Sequence, residues 1–392
     1  MKPLGLNKNV IMAGLVSFLM DVSSEMIYPL VPLFLANVLG VNKSVIGLIE
    51  GIAESTASLL KVFSGMYSDR IGSRKWLMAL GYGISTLSRP FVALASAWPQ
   101  VFAFRFVDRL GKGIRTAPRD ALIDESVDRG SLGKAFGFHR SMDTFGAVIG
   151  PSLAILLLGL FADNYRLVFW LSMIPAVLAV LFIVFFISET AKSTPADHPK
   201  PKLSLSHFDW RFKFFMGIAT LFAIGNSSDV FLILRAEQLG VPSVMIPAVY
   251  LVFNLVYSLS AMPAGMVADR FGKKRLLLLG FAFFAIVYFG FAAATTTLQV
   301  WVLFSLYGLF MGITEGVQKA YLATIIPPTF KATAFGIYNM CIGLALLPAS
   351  IVAGLLWDRI GPATPFYFGG IMALLSAALF LVYIGKVHRT PC

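Results

Sequence analysis

The sequence predicts an all-α membrane protein with twelve transmembrane helices in two pseudo-symmetric six-helix bundles. Three observations predict it. Hydrophobic residues make up 57% of the 392 residues and charged residues 13%, and mean hydropathy is +0.79. A soluble domain carries about 25% charge, so lipid must serve as most of this chain's solvent. Apolar windows recur along the chain, six before and six after one polar stretch. Finally, Gly65-Met66-Tyr67-Ser68-Asp69-Arg70-Ile71-Gly72-Ser73-Arg74-Lys75 has a second copy 200 residues on, at Gly265-Met266-Val267-Ala268-Asp269-Arg270-Phe271-Gly272-Lys273-Lys274-Arg275. A repeat at half the chain length implies a duplicated bundle.

In chain order, Lys2 and Lys8 ahead of an apolar run look like a secretory leader. No small-residue cleavage site follows, however, and the run continues past Asp21 to Ala36, so we read it as an uncleaved first helix. The first six windows fall at roughly 10–36, 44–66, 76–97, 99–122, 134–160 and 166–188. The stretch Thr190–Ser206 carries Pro195, Pro199, Pro201 and several charges and reads as a linker. Six more windows follow, at roughly 211–236, 244–267, 275–295, 298–323, 333–356 and 363–385. The expected domains are therefore 1–189, a cytoplasmic linker at 190–210, and 211–392.

Charge sets the expected orientation. Arg70, Arg74, Lys75, Arg129, Lys134, Lys192, Lys200, Lys202, Arg270, Lys273, Lys274, Lys331 and Lys386 fall on one side, whereas the other side holds few, Lys43, Arg166, Arg235 and Arg359. Basic loops stay inside, which makes both termini cytoplasmic in a multi-pass protein of the inner or plasma membrane. The same bias accounts for the net charge of +12 without any nucleic-acid partner. Two cysteines, Cys341 and Cys392, imply neither a disulfide framework nor a zinc site. The halves match beyond the repeated loop. Ser23-Ser24-Glu25 answers Ser227-Ser228-Asp229, Gly113-Ile114 with Ala121 answers Gly312-Ile313 with Ala320, and Ala135-Phe136-Gly137 answers Ala334-Phe335-Gly336.

The repeated pattern G-x-x-x-D-R-x-G-x-[RK]-[RK] resembles the signature loop of the major facilitator superfamily of secondary transporters. The resemblance implies a conformational latch at Gly65, Asp69, Arg70, Gly72, Gly265, Asp269, Arg270 and Gly272. Independently of it, Asp69 and Asp269 sit where a helix meets the membrane surface, where a carboxylate neutralises the N-terminus of a neighbouring helix. The plainer alternative is a solvated loop that sets topology. The strings Asp21 to Pro29 and Gly111 to Leu122 resemble a prokaryotic subgroup close to the drug/proton antiporters, which implies fold and alternating access but no cargo.

Charge inside spans is costly and is usually turned toward a polar cavity. Helix 4 carries Arg105, Asp108, Arg109, Lys112, Arg115, Arg119 and Asp120. Arg109-Leu110-Gly111-Lys112-Gly113 resembles the superfamily's R-x-x-x-G motif of proton-coupled exchange. It departs at Lys112, where drug exporters usually have glutamine. Arg105 and Arg109 are each within a turn of Asp108, so partial internal pairing is expected, and Lys112 through Asp120 read equally well as charge at the cavity mouth. Helix 1 carries Asp21 and Glu25 on one face. Carboxylates that close together in low dielectric are poised to gain and lose a proton, and an ion pair with Arg109 is the compatible alternative.

Helix 5 opens with His139, Arg140 and Asp143, spaced so that Asp143 meets either partner. His139 reads first as a packing residue. Gly146-Ala147-Val148-Ile149-Gly150-Pro151 matches a G-x-x-x-G-P element that the resemblance associates with exporters. Physically, small residues permit close helix approach and proline kinks the helix. Glu50 and Glu54 share a face of helix 2. Helix 7 adds Asn226 and Asp229, and helix 10 adds Glu315 with Lys319 one turn on. Tyr28, Tyr250 and Tyr257 read as interface anchors ahead of cavity walls.

The expected function is alternating-access secondary transport, as proton-coupled antiport exporting a small anionic or zwitterionic molecule. Asp21 and Glu25 would carry protons and Arg109 would hold charge. Proton symport for organic-anion uptake, a metal-ion exporter, and a gradient-independent receptor-like protein are the alternatives. No phosphate-binding glycine loop or catalytic spacing is present, so neither an ATP-driven pump, an enzyme nor a cofactor is expected. The expected partners are substrate, protons and the lipid bilayer, around a monomer.

Overall fold

The computed structural model describes residues 6–71, 73–127, 132–161, 164–189, 208–326 and 331–389. These residues form helices and, among the described residues, no strands. The first half contains α1 (Lys8–Ile27), α2 (Val31–Leu33), a π turn (Phe34–Val38), α3 (Lys43–Ile71), α4 (Lys75–Ala93), α5 (Trp98–Glu125), α6 (Leu132–Leu160), α7 (Tyr165–Leu171) and α8 (Met173–Phe186). The second contains α9 (Trp210–Gly225), α10 (Val230–Gln238), α11 (Ile246–Phe271), α12 (Lys273–Ala293), α13 (Thr297–Thr324), α14 (Lys331–Arg359) and α15 (Thr364–Arg389).

The twelve expected windows correspond to twelve helical stretches, three of them built from two pieces. The first window is interrupted after α1. Pro29 has no N–H to continue the ladder, and its ring crowds the carbonyl of Glu25. The seventh window is interrupted between α9 and α10, where Asn226, Ser227, Ser228 and Asp229 compete locally for backbone hydrogen bonds. The two breaks fall beside the matched Ser-Ser-acid triplets, so the duplication extends to the interruption itself. The third composite stretch is α7 with α8.

Among the described residues, nine stretches are long and apolar enough to cross a membrane. The other three of the twelve, α3, α4 and α5, have 29, 19 and 28 residues, ample length, but are more polar. Glu50, Glu54 and Lys61 lie on α3, Arg89 on α4, and the long series of charges on α5. The three polar helices are the ones that need a wet or charged surface to face.

Close packing divides the chain into two compact units, Met1–Val41 with Ile52–Pro199 and Ser243–Leu251, and Asn42–Gly51 with Lys200–Pro242 and Val252–Cys392. This division differs from a cut at the 190–210 linker by two short segments, 42–51 and 243–251, that group outside their own half. In the first unit α4 packs on α5 and α8, and α1 packs on α6 and α8. In the second, α12 packs on α13 and α15, and α9 packs on α14 and α15. The two sets are the same set under the duplication. Lipid tails are as apolar as leucine, so van der Waals fit rather than water exclusion holds such bundles together. In the first unit Val10, Ala13, Met78, Tyr82, Ala176 and Ile183 form part of that fit, all fully buried. In the second the work is done by rings, with Phe222 stacked on Phe281 at 4.6 Å and Phe284 tilted against Phe310 at 4.8 Å.

Candidate functional site

Helical spacing places Arg105, Asp108, Arg109, Lys112 and Arg115 along one stripe of α5, and Asp21, Ser24, Glu25 and Tyr28 along one stripe of α1. Both stripes line one cavity of about 190 Å3, completed by Glu54 of α3, Arg89 of α4, and Phe104, Ile27 and Tyr250. Five cations (Arg89, Arg105, Arg109, Lys112, Arg115) thus face four carboxylates (Asp21, Glu25, Glu54, Asp108), a formal balance of 5 − 4 = +1. Arg89, Arg105, Asp108, Arg109 and Arg115 are all buried.

The pairing inside the cavity differs from the sequence expectation. Arg109 meets Glu54 of α3 at 3.0 Å, and not a carboxylate of α1. Asp108 lies 3.7 Å from the guanidinium of Arg89, which also donates to Ser24 Oγ at 3.0 Å. Internal pairing along α5 is thereby replaced by ties across α3–α5 and α4–α5. Arg115 donates to Ser85 Oγ at 2.8 Å, lies over the Tyr82 ring at 4.4 Å and lines the cavity. Lys112 also lines the cavity. Arg119 meets its neighbour Asp120 at 2.9 Å and donates to Ser17 Oγ at 3.2 Å. Tyr28 and Tyr250, read from sequence as interface anchors, are instead cavity walls. Their ring centroids are 5.3 Å apart, and Arg105 lies over Tyr28 at 5.7 Å.

The G-x-x-x-G-P element has a concrete local role. A Cβ on Gly146 would stand 2.7 Å from Asp21 Cβ and 2.9 Å from the carbonyl oxygen of Phe18. One on Gly150 would stand 2.7 Å from Glu25 Cβ and 2.8 Å from the carbonyl oxygen of Val22. At these two glycines of α6, α1 passes close enough to leave no room for a side chain, at the two residues that carry its carboxylates. Pro151 lies within α6. Close by in sequence, His139 Nδ1 sits 3.5 Å from Asp143 Oδ2, so histidine rather than Arg140 takes that partner. The imidazole is buried, and neither His139 Nε2 nor Asp143 Oδ1 has a hydrogen-bond partner. His139, Arg140 and Asp143 do not line the cavity.

In the second unit the matching positions are neutral or tied by tyrosines. Tyr307 donates to Asp229 at 2.7 Å and lies 3.4 Å from Asn226 Oδ1, to which Tyr288 donates at 3.3 Å. Glu315 accepts from Tyr257 and meets Lys319 at 3.0 Å, the partner that its spacing implies. Of the latch residues, Gly65 of α3 faces α5, where a Cβ added to it would stand 3.4 Å from Ala117 Cβ; Arg270 is exposed, and Gly272 turns the chain into α12 with φ +95°, a conformation that favours glycine. Gly265 has open space beside it. Gly72 and the side chains of Asp69, Arg70 and Asp269 lie outside the described residues. Among the described residues, no group of three His, Cys, Asp or Glu is placed to hold a metal ion.

Sequence reasoning missed Arg89. Its signal was present, a lone cation within the otherwise uncharged window at 76–97, and it should have been weighed as the charges of α5 were. The pairing of Arg109 with Glu54 and of Arg89 with Asp108 was not legible, because each joins two different helices.

An all-helical, multi-span protein with a charged cavity inside one bundle is of the transporter class. The chain belongs to the major facilitator superfamily, whose family model matches residues 13–242 and 214–391. It is similar to an uncharacterised MFS-type transporter of Methanocaldococcus jannaschii, 35% identical over 385 residues, covering 96% of this chain and 95% of that one. It is also similar to a multi-drug resistance efflux pump homologue of Lactococcus lactis, 23% identical over 395 residues, covering 97% and 94%. Among solved structures, a POT family transporter in complex with 5-aminolevulinic acid has the same fold, with TM-score 0.81 at 13% identity and 97% of both chains covered. The protein is thus a multi-pass membrane transporter of this superfamily.

Proposed function

We propose that the cavity of the first unit binds a small zwitterionic or anionic molecule and couples its movement to protons through Asp21 and Glu25. The carrying observation is that both signs of charge line one cavity, carboxylates on α1 and Glu54, cations on α4 and α5. A carboxylate or phosphate on the cargo would take the Arg109 guanidinium from Glu54, exchanging one charge-assisted bond for another. An ammonium group on the cargo would seat against Asp21 and Glu25.

The sign of coupling follows from which groups the cargo uses. A zwitterion whose ammonium occupies the α1 carboxylates competes there with a proton. Each then weakens the other by the same factor, and the two travel in opposite directions. That is proton-coupled antiport, and with an inward proton gradient it exports. The resemblance of Gly146 to Pro151 to the exporter motif and the likeness to an efflux pump homologue support this reading. A purely anionic cargo reverses the sign. Protonating Asp21 or Glu25 raises the cavity's positive charge and strengthens its grip on the anion, so both move together as in symport. The formal excess of one cation favours that second reading for a cargo without an amine.

Proteoliposomes of the purified protein, offered zwitterions, organic anions, organic cations and metals in turn, separate these outcomes by the sign of proton flux. Asp21→Asn/Glu25→Gln runs beside the wild type. Outward cargo with inward protons, lost in the variant, is the expected result. Cargo movement without proton flux and unchanged by the variant overturns the proposal.

A further inference from the structure

The two signature loops are copies in sequence, yet the fold treats their cations differently. In the first unit Ser73, Arg74 and Lys75 are held from three directions. Arg74 meets Glu125 at the end of α5 at 2.9 Å and donates to Ser68 Oγ at 2.6 Å. The Glu189 carboxylate, after α8, accepts from the backbone N–H groups of Arg74 at 2.7 Å and Lys75 at 3.2 Å and from Ser73 Oγ at 3.0 Å. Lys75 Nζ donates to the carbonyl oxygen of Val184 at 2.8 Å.

Among the described residues, the side-chain acceptors Ser68, Glu125 and Glu189 have no counterpart in the second unit. At the 200-residue register Arg74 and Lys75 become Lys274 and Arg275, and Ser68 becomes Ala268. Helix α13, like α5, is 28 residues long, and it ends in Thr324 where α5 ends in Glu125. Helix α15, the counterpart of α8, contains no acidic residue and carries Lys386 near its end. The loop itself has four cations, Arg270, Lys273, Lys274 and Arg275, against Asp269 alone.

These replacements open onto a groove of about 600 Å3 lined by Arg270, Lys273, Lys274, Arg275, Tyr321 and Thr324. Among the described side chains, its lining, which also includes Phe271 and Ile384, contains no carboxylate. Helix α11 ends at Phe271 and α12 begins at Lys273, so the groove lies at the ends of two spanning helices, where lipid headgroups would sit. Gly272 provides no side-chain cap to α12, whose first N–H groups favour an anion. Phe271 is 66% exposed beside the cations, and Met266 one turn earlier is 53% exposed, giving apolar surface where acyl chains would lie.

We infer that this groove is a headgroup site for an anionic phospholipid of the surrounding bilayer. The guanidinium groups of Arg270 and Arg275 suit phosphate oxygens, Lys274 adds charge, and Phe271 meets the lipid tail. The duplication leaves Glu125 and Glu189 beside the first loop and, beside the second, a groove that a lipid phosphate would fill.

Native mass spectrometry of the full chain, exchanged into detergent with equal phosphatidylglycerol and phosphatidylcholine, reads the site directly. The wild type should retain phosphatidylglycerol preferentially. Lys274→Gln/Arg275→Gln should lower that retention about thirtyfold, at about fivefold per basic side chain. Lys8→Gln/Lys213→Gln, which removes as many charges elsewhere, should leave it unchanged. Thr324→Glu restores the first unit's carboxylate at an exposed position without touching the cations, and should also release the lipid. Equal retention of the two lipids, or retention unaffected by both the loop variant and Thr324→Glu, overturns the inference. Displacement of the lipid by inorganic phosphate alone would assign the groove to a soluble anion and overturn the lipid assignment.

Discussion

Gly150→Ala tests whether α6 sets the position of the carboxylates on α1. The added Cβ would stand 2.7 Å from Glu25 Cβ and 2.8 Å from the carbonyl oxygen of Val22. Carbon atoms sit comfortably at about 3.5–4.0 Å, and one of these neighbours is backbone, so α1 must retreat by about 1 Å. Overpacking of this kind costs about 1–3 kcal/mol. Alanine recovers about 0.5–1 kcal/mol over glycine inside a helix. The expected net loss is therefore about 0.5–2 kcal/mol. Gly137 is the internal control. It lies on the same helix with nothing within 4 Å of a built Cβ, so Gly137→Ala should be neutral or slightly stabilising. Thermal unfolding in detergent, followed by loss of the monodisperse gel-filtration peak, measures the first quantity, and proton flux in proteoliposomes the second. Gly150→Ala should lower both, and Gly137→Ala neither. Equal melting of the two variants would refute the claim that α1 demands a glycine there. A lower melting temperature with intact flux would refute the claim that the α6 contact positions Glu25 for coupling.

Two further outcomes follow from the cavity's ion pairs. Arg89→Ala leaves the buried carboxylate of Asp108 without its cation and should cost about 3–5 kcal/mol, whereas Arg89→Met with Asp108→Leu should cost much less than the sum of its parts. Additive losses in thermal unfolding would show that the two residues do not act as a pair. Glu54→Gln weakens the internal competitor for Arg109 and should tighten binding of an anionic or zwitterionic cargo about tenfold, a charge-assisted hydrogen bond being worth about 1.5–3 kcal/mol. Cargo affinity unchanged in that variant, measured by calorimetry with the cargo that the flux assay identifies, would remove Glu54 from the proposed exchange.

The class of fold is legible in the chain alone, because lipid solvent, span length and duplication all leave one-dimensional marks. Composition excludes a soluble domain, and the 200-residue repeat declares two bundles. Asp21, Glu25 and the charges of α5 were legible as cavity residues for the same reason, since a charge in an apolar run needs somewhere polar to point. What the tertiary structure decided is which charge meets which. Arg109 is four residues from Arg105 and one from Asp108 in sequence, yet its partner is Glu54 on α3, and Asp108 is held by Arg89 on α4. Helical spacing brings neighbours to the same face without turning them toward each other, and the choice among partners is made by how closely helices approach. That approach is governed at Gly146 and Gly150, whose missing side chains matter only because α1 happens to cross there. The same limit explains the two basic loops. Their cations are nearly identical strings, and what makes one closed and the other an open groove is Glu125 and Glu189 in one case and Thr324 in the other, residues about fifty to more than one hundred positions away that only folding brings alongside.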